Sequence, residues 1–268
     1  MTDNVEYEIV SRKKETPTTF TIELKRADGK PASFLAGQFN MVNVFGYGTC
    51  ALSLSGKMNS THSVHTVKEL GPVTQALARM GAGERLFASG PYGRGWPLTS
   101  AGKDILIIAG GVGIAPLRPV LYHLMAERHL YGHITVLYGA KEPEEILYKH
   151  EWESFIQAGI NVIISVDRAE MSWKGHVGVI PSFIKKAHTI GPETLIFLCG
   201  PEIMIKFAIH ELKKYPVVDE NIFLSLERHM DCGKGHCGRC QIGPFILCTK
   251  GPILSLKEVE PYLFIKEI

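Results

Sequence analysis

Ile107-Ile108-Ala109-Gly110-Gly111-Val112-Gly113-Ile114-Ala115-Pro116 is the stretch on which the fold turns. Its apolar lead-in, residues 105–109, reads as a buried strand. The glycines make a tight turn. Beyond it Leu117, Val120, Leu121, Leu124 and Met125 step by three and four, as one face of a helix does. Strand, glycine turn and helix together offer a helix N-terminus to a phosphate. The G-x-G-x-x-G fingerprint itself is not present. Alone, the stretch also fits an ordinary tight turn before a helix.

Outward from it the same texture repeats. Residues 134–138, 162–166, 194–198 and 222–226 are apolar runs with few polar alternations, and Ile205, Ala208, Ile209 and Leu212 mark a further helix. Alternating strands and helices imply a parallel sheet covered on both faces. Phe197-Leu198-Cys199-Gly200-Pro201-Glu202 is a second strand ending in a glycine turn. Two such ends side by side form a crevice at the carboxyl edge of the sheet. Before Pro97 the pattern differs. Short β-branched or alternating runs at 7–11, 20–24, 39–44, 52–55, 63–68 and 85–89 are separated by turn residues, which implies a β-barrel or sandwich. One helix interrupts them, near 73–80. Its start sets free N–H groups and a positive dipole end beside Thr74, a ready anion site. The expected organisation is a β-barrel at 1–98, an α/β parallel-sheet domain at 99–226 and a C-terminal segment at 227–268 with a short helix near 256–262.

That last segment carries Cys232, Cys237, Cys240 and Cys248 in the spacing C-x4-C-x2-C-x7-C. Thiolates are soft, charged donors that hold iron or zinc. The first three follow the plant-type [2Fe–2S] spacing, with a fourth further on. Structural zinc sites pair two knuckles across a longer gap, and zinc remains the alternative. His236 lies inside the loop, where a supporting or surface role is expected of it. Lys234, His236, Arg239 and Lys250 put positive charge around the thiols, as an ordinary solvated loop or as a docking face for an acidic partner.

Composition narrows the rest. The chain has 268 residues, 45% of them apolar and 21% charged, with a net charge of +2. Bulk charge gives no case for nucleic acid or membrane binding. No apolar run approaches the roughly 18 residues of a membrane span, and residues 1–6 lack the regions of a signal peptide. Thiolate ligands fit a reducing, cytoplasmic location.

Taken together these motifs resemble the ferredoxin–NAD(P)H reductase superfamily. The glycine turn, Tyr138-Gly139-Ala140 and Cys199-Gly200-Pro201 match its nicotinamide domain in order and spacing. Gly37-Gln38-Phe39 and Gly90-Pro91-Tyr92-Gly93 match its FAD barrel. Residues Leu226-Glu227-Arg228-His229-Met230 and the cysteine loop are similar to the γ subunit of soluble sulfhydrogenases and the B subunit of anaerobic sulfite reductase, with the electron-transfer subunit of dihydroorotate dehydrogenase further off. The resemblance implies FAD, NAD(P)H and a [2Fe–2S] cluster. It places Ser53, in Cys50-Ala51-Leu52-Ser53, near the flavin ring, and His65, Thr66 and Val67 on the strand beside it. The arginine that many members carry ahead of that serine is missing. The resemblance therefore leaves the pyrophosphate to N–H groups at Gly71, Val73 and Thr74. It turns Gly110, Gly111, Gly113 and Pro116 toward the dinucleotide, and Cys199, Gly200 and Pro201 toward the nicotinamide. Lys141 and Arg168 would favour a 2′-phosphate, and Glu142, Glu144 and Glu145 oppose it.

The implied function is a diaphorase-type subunit carrying electrons between NAD(P)H, FAD, the cluster and a partner such as a soluble NiFe hydrogenase. No nickel, sirohaem or molybdenum site is legible, so the terminal substrate belongs to that partner, expected in a hetero-oligomer. An anaerobic sulfite reductase or heterodisulfide-reductase-type complex is an alternative. A free-standing ferredoxin reductase is another. A zinc-stabilised scaffold module on a fold that has lost its flavin is the non-catalytic one.

Overall fold

The computed structural model describes residues 4–98, 102–188, 190–263 and 265. The boundary expected between residues 98 and 99 runs into 99–101, which lie outside the described residues.

The N-terminal unit is antiparallel. It holds β1 (Val5–Thr16), β2 (Thr19–Arg26), β3 (Phe39–Val44), β4 (Gly48–Ser53), β5 (Ser63–Lys68), α1 (Pro72–Arg79) and β6 (Arg85–Tyr92). The six strands lie in the order β4-β3-β6-β1-β2-β5. Alternation fixes which face is inside. Phe20, Ile22 and Leu24 of β2 are buried, as are Leu86 and Ala88 of β6, while Arg85 and Phe87 face out. Leu77 of α1 packs into the same core. The sheet curls until its outer strands approach, but they join only at a bridge between Leu54 and His65, helped by Ser55 N–H donating to the Val64 carbonyl at 2.8 Å. The barrel thus keeps an open seam, and β5 is an edge strand beyond it.

The second unit holds β7 (Ile105–Gly110), α2 (Arg118–Ala126), β8 (Ile134–Ala140), α3 (Trp152–Gln157), β9 (Asn161–Val166), β10 (His176–Val177), β11 (Leu195–Cys199), α4 (Glu202–Leu212) and β12 (Ile222–Ser225). All six residues of β7 are buried, because helices cover both of its faces. Ile105, Ile107 and Ala109 pack with Leu117, Val120, Leu121 and Leu124 on the α2 side. Leu106 and Ile108 pack with Ile205, Ala208, Ile209 and Leu212 on the α4 side.

After the cysteine loop come β13 (Gln241–Ile242), β14 (Phe245–Ile246), α5 (Leu247–Lys250), β15 (Ile253–Ser255) and α6 (Leu256–Val259). The seven-stranded sheet runs β10-β9-β8-β7-β11-β12-β15, parallel except for β15. The order reverses between β7 and β11, which opens the crevice expected at their carboxyl ends. β15 is not legible in the sequence. It is three residues long and follows Pro252, so no period could form. It nonetheless ties the C-terminal segment down: Ile253 packs with Trp96 and Ala36, and Leu254 with Leu224 and Leu198. Trp96 also joins the units, donating from Nε1 to the Pro116 carbonyl at 3.2 Å and packing on Phe197 with ring centroids 5.1 Å apart.

Candidate functional site

A cleft of about 1150 Å³ opens at the strand-order reversal. Gly110, Gly111, Gly113, Gly200 and Pro201 line it, with Lys141 at the end of β8. The first two glycine turns close on each other. A Cβ at Gly113 would stand 2.5 Å from the Cys199 carbonyl oxygen and 2.8 Å from the Gly200 Cα, so only glycine lets the two strand ends meet. At Gly111, φ is +55° and nothing lies within 4 Å of a Cβ position, so the backbone itself faces the open cleft. That exposed backbone beside a turn is what a dinucleotide needs. Pro116 and Cys199 do not line the cleft. Pro116 sits behind it under Trp96, and Cys199 is buried, with its thiol pushed up to about 12 by burial.

Asp167 also lines the cleft, just beyond β9 and beside Lys141 on the neighbouring strand end. Arg168 turns to Glu142 instead, with Nε 2.6 Å from Oε1. Glu227, quoted in the sequence only as part of the Leu226–Met230 motif and given no role of its own, also lines the cleft. It follows β12, stands open to the cleft yet has protein around most of its side chain, and that desolvation raises its carboxyl. Its charge reaches Cys199. Its signal was its place in that motif, two residues after a strand end neighbouring the glycine turns.

The residues expected around the flavin do not line this cleft, although Lys68 and Leu70 beside them do; they lie at the barrel seam. His65 is fully buried. Its Nδ1–H donates to the Ser53 carbonyl at 2.9 Å, and its Nε2 accepts from Asn40 at 3.3 Å. Burial lowers its pKa to about 4, against the opposing backbone bonds. The Thr66 hydroxyl is shared with Thr21, Ser55 and Tyr148, and Val67 faces the core. The side chains of His65, Thr66 and Val67 are all buried, on alternating faces of β5, and what β5 offers a flat polar ring is edge backbone beyond the His65 bridge. At α1, Gly71 N–H is already taken by Thr74 Oγ1 at 3.0 Å, which leaves the N–H groups of Val73 and Thr74 to an anion.

A neutral His65 has a pH consequence. In the unfolded chain its pKa returns to about 6.5. Between pH 6.5 and about 4 the unfolded state binds a proton that the folded state does not, so stability falls as pH falls, by about 1.4 kcal/mol per unit at most. Chemical denaturation at stepped pH is expected to show this slope, and His65→Gln to flatten it.

The four thiols gather in the loop, with Cys232 near enough to Cys248 for its charge to be felt there. Cys232 and Cys237 contact each other, as do Cys240 and Cys248. Cys240 and Cys248 are buried, Cys232 is half-buried and Cys237 is exposed. Backbone N–H groups point at sulfur: Gly235 to Cys248 at 3.1 Å, Lys234 to Cys232 at 3.4 Å and Cys248 to Cys240 at 3.5 Å. Burial pushes the Cys232 thiol up, but N–H groups of Cys237, Lys234 and His236 outweigh it and bring it down to about 6. Burial, and then the neighbouring Cys240, push Cys248 up to about 12. Among the described residues no three His, Cys, Asp or Glu side chains converge as they would around a single ion. N–H donors aimed at sulfur are the outer support that a metal group held by thiolates calls for.

Gly233 seats this loop against the first unit. Its φ is +69°, and a Cβ there would meet the Tyr92 ring at 2.7 Å and Met41 at 2.9 Å. The Tyr92 hydroxyl is buried at this seam without a hydrogen-bond partner among the described residues. Leaving a hydroxyl unpaired costs about 1–3 kcal/mol, so a bound group that accepts its proton suits the place. The basic face of the loop is partly cancelled, because Asp231 pairs with both His229 at 2.7 Å and Arg239 at 3.4 Å.

Comparison with known proteins agrees with this geometry. Residues 107–210 match the model of the oxidoreductase NAD-binding domain. The sulfhydrogenase 1 gamma subunit of Pyrococcus furiosus is 33% identical, over 85% of this chain and 81% of that protein. A probable dihydroorotate dehydrogenase B (NAD(+)) electron transfer subunit from the same organism is 32% identical, over 84% and 81%. Among solved structures, an NADH-dependent reduced ferredoxin-NADP oxidoreductase superposes with a TM-score of 0.76 at 23% identity, covering 96% of this chain and 92% of that one. The cytochrome b5 reductase domain of Ulva prolifera nitrate reductase gives 0.67 at 23% identity, covering 78% and 91%. At such identities the structures speak for the fold alone.

Proposed function

From the premise that this chain belongs to the family of sulfhydrogenase gamma subunits and dihydroorotate dehydrogenase electron-transfer subunits, in the ferredoxin–NAD(P)H reductase superfamily, we propose a specific electron relay. The chain is an NAD(P)H-dependent flavin oxidoreductase of the electron-transfer kind. In our reading NADH enters the cleft, FAD lies along the seam of the N-terminal unit, and Cys232, Cys237, Cys240 and Cys248 hold a [2Fe–2S] cluster. A nicotinamide gives a hydride, a flavin takes it and releases single electrons, and an iron–sulfur cluster carries one at a time.

The observation that carries the reading is the cysteine segment's double anchorage. Ile253 and Leu254 enter the cores on the two faces of the dinucleotide sheet, while Gly233 rests on Tyr92 and Met41 of the barrel. The thiols are thereby fixed against the barrel and the dinucleotide sheet at once. The chain's residues position and pair groups, and none need act as acid or base on a substrate. Within this reading, Ser53 holds the flavin edge, with its own carbonyl pinned by His65. Val73 and Thr74 N–H groups meet the pyrophosphate, helped by the α1 dipole. Gly110, Gly111 and Gly113 meet the dinucleotide phosphates, and Gly200 and Pro201 border the nicotinamide.

The partner that best suits the chain is a soluble NiFe hydrogenase-type enzyme in a cytoplasmic hetero-oligomer. The exposed Cys237 edge is where electrons would leave. Among the described residues no helix is long and apolar enough to cross a membrane. Anaerobic purification from the source cells should bring down a larger iron–sulfur subunit. A chain that always runs alone would count against this partner.

For the nucleotide, NADH fits better than NADPH. The Asp167 carboxylate can accept ribose hydroxyls and repels a 2′-phosphate, and Arg168 is engaged by Glu142. Asp167→Ala is expected to shift the kcat/KM ratio of NADH to NADPH about tenfold or more toward NADPH, roughly the 1–3 kcal/mol of one polar contact. An unchanged ratio would remove Asp167 from the specificity account.

A further inference from the structure

The most heavily hydrogen-bonded buried cation in the described structure has no part in the relay above. Arg118 is the first residue of α2, the helix that follows the glycine turn, and it is 9% exposed. Its guanidinium grips Glu151 with two N–H groups, one of them Nε to Oε2 at 3.1 Å. Its Nη1 donates across to the Ser55 carbonyl of the N-terminal unit at 3.3 Å. Its Cζ lies 4.1 Å from the ring centroid of Tyr148. Tyr122 donates to the same Glu151 Oε2 at 2.9 Å.

The network continues into the barrel. Tyr148 donates its hydroxyl to Thr66 on β5 at 2.7 Å, and Thr66 also meets Ser55 at 3.0 Å and Thr21 at 2.9 Å. Tyr148 holds a left-handed backbone, φ 54°, to reach there. A bulky residue seldom adopts that conformation unless its surroundings impose it.

Stability does not explain this arrangement. Desolvating both charges offsets most of their attraction, and apolar residues of similar size often stabilise a protein as well or better. What the ion pair adds is geometry. A planar fork with fixed donor directions holds its partners in one orientation. Here the partners are the dinucleotide helix on one side and, on the other, the strand end after Ser53 together with β5.

We propose that Arg118, clamped by Glu151 and stacked on Tyr148, is a positioning residue. It sets the dinucleotide helix against the strands that flank the flavin, and so sets the distance for hydride transfer. The proposal rests on reading the cleft as the hydride-transfer site. Reacting atoms must come within roughly 3–3.5 Å, and a misplacement of about 1 Å can cost about 100-fold. A seam held only by apolar contacts can slide by that much without losing buried area.

The test uses the flavin-loaded chain and three forms: wild type, Arg118→Lys, and the double variant Arg118→Met with Glu151→Met. The double variant leaves no buried charge unpaired, so it separates registry from stability. Melting temperature, flavin content, amide exchange across residues 53–66, and stopped-flow flavin reduction by NADH and by 4-deuterated NADH are measured. The double variant is expected to keep flavin, melting temperature and NADH affinity. Its limiting rate of flavin reduction should fall about 100-fold, with a larger deuterium isotope effect and faster amide exchange at 53–66. Arg118→Lys keeps the charge, loses the fork, and should also be slow. The proposal is overturned if the double variant reduces its flavin at the wild-type rate, if it fails to fold, or if Arg118→Lys is as fast as wild type. If neither NADH nor NADPH reduces the wild-type flavin, the hydride reading falls and takes this proposal with it.

Discussion

Replacing Cys248 with serine is expected to empty the chain of iron and stop electron delivery to a partner, while flavin reduction by NADH continues. Cys248 is 2% exposed, touches Cys240, and receives the Gly235 N–H on its sulfur. A serine oxygen is a harder donor that binds iron poorly. With Cys248 gone, Cys232, Cys237 and Cys240 alone would have to hold the group, and it would be lost. Iron should fall from about two per chain to nearly none. Electron transfer to the partner subunit should drop more than about 100-fold, since the cluster is the only outlet we assign. The flavin seam is formed by other elements, so the 450 nm flavin band and its bleaching by NADH should persist. Metal analysis and anaerobic stopped-flow spectroscopy on one preparation check both halves. Retained iron in Cys248→Ser would mean that the fourth ligand lies elsewhere.

The second large effect is expected at Gly113. Its missing side chain lets β7 and β11 end against each other. An alanine Cβ would lie 2.5 Å from the Cys199 oxygen and 2.7 Å from its carbonyl carbon. Both are backbone atoms of a strand whose five residues are all buried, so neither can swing aside. The turn must move instead, and the exposed N–H groups at Gly111 move with it. Gly113→Ala should therefore weaken NADH binding about 100-fold, near 2.7 kcal/mol. It should also lower the melting temperature, because part of the strain falls on the core. Iron content should be untouched, since the thiols hang from other elements. Isothermal titration with NADH, beside iron analysis, distinguishes this outcome from general misfolding. Wild-type affinity in Gly113→Ala would show that the dinucleotide does not use this turn.

The sequence disclosed what local pattern encodes. The fully apolar β7 run, the alternation of β2 and the three- and four-residue steps of α2 and α4 each need only neighbours along the chain to be read. The thiol spacing and the glycine turns were legible for the same reason. Other features depend on partners far away in sequence. Three-residue β15 has no period of its own and exists because β12 offers it an edge. Arg168, a candidate for a 2′-phosphate, turns to Glu142 26 residues away. That leaves Asp167, beside Lys141, among the charges that line the cleft. Gly71 was expected to offer its N–H to an anion, but Thr74 takes it. The side chains of His65 and Thr66 proved to be interior struts, and the network through Thr66, Tyr148, Arg118 and Glu151 joins positions up to 82 residues apart. No spacing rule could have assembled it.

The central claim is that a carrier of electron pairs is converted to a carrier of single electrons within this one chain. Anaerobic titration of the purified protein with NADH, followed together by visible absorption and low-temperature electron paramagnetic resonance, tests it most directly. The account predicts that the flavin band bleaches and that a reduced [2Fe–2S] signal appears during the same titration, without any added mediator. A colourless protein that carries zinc and no flavin, or a flavin that bleaches while no iron signal ever develops, would contradict it.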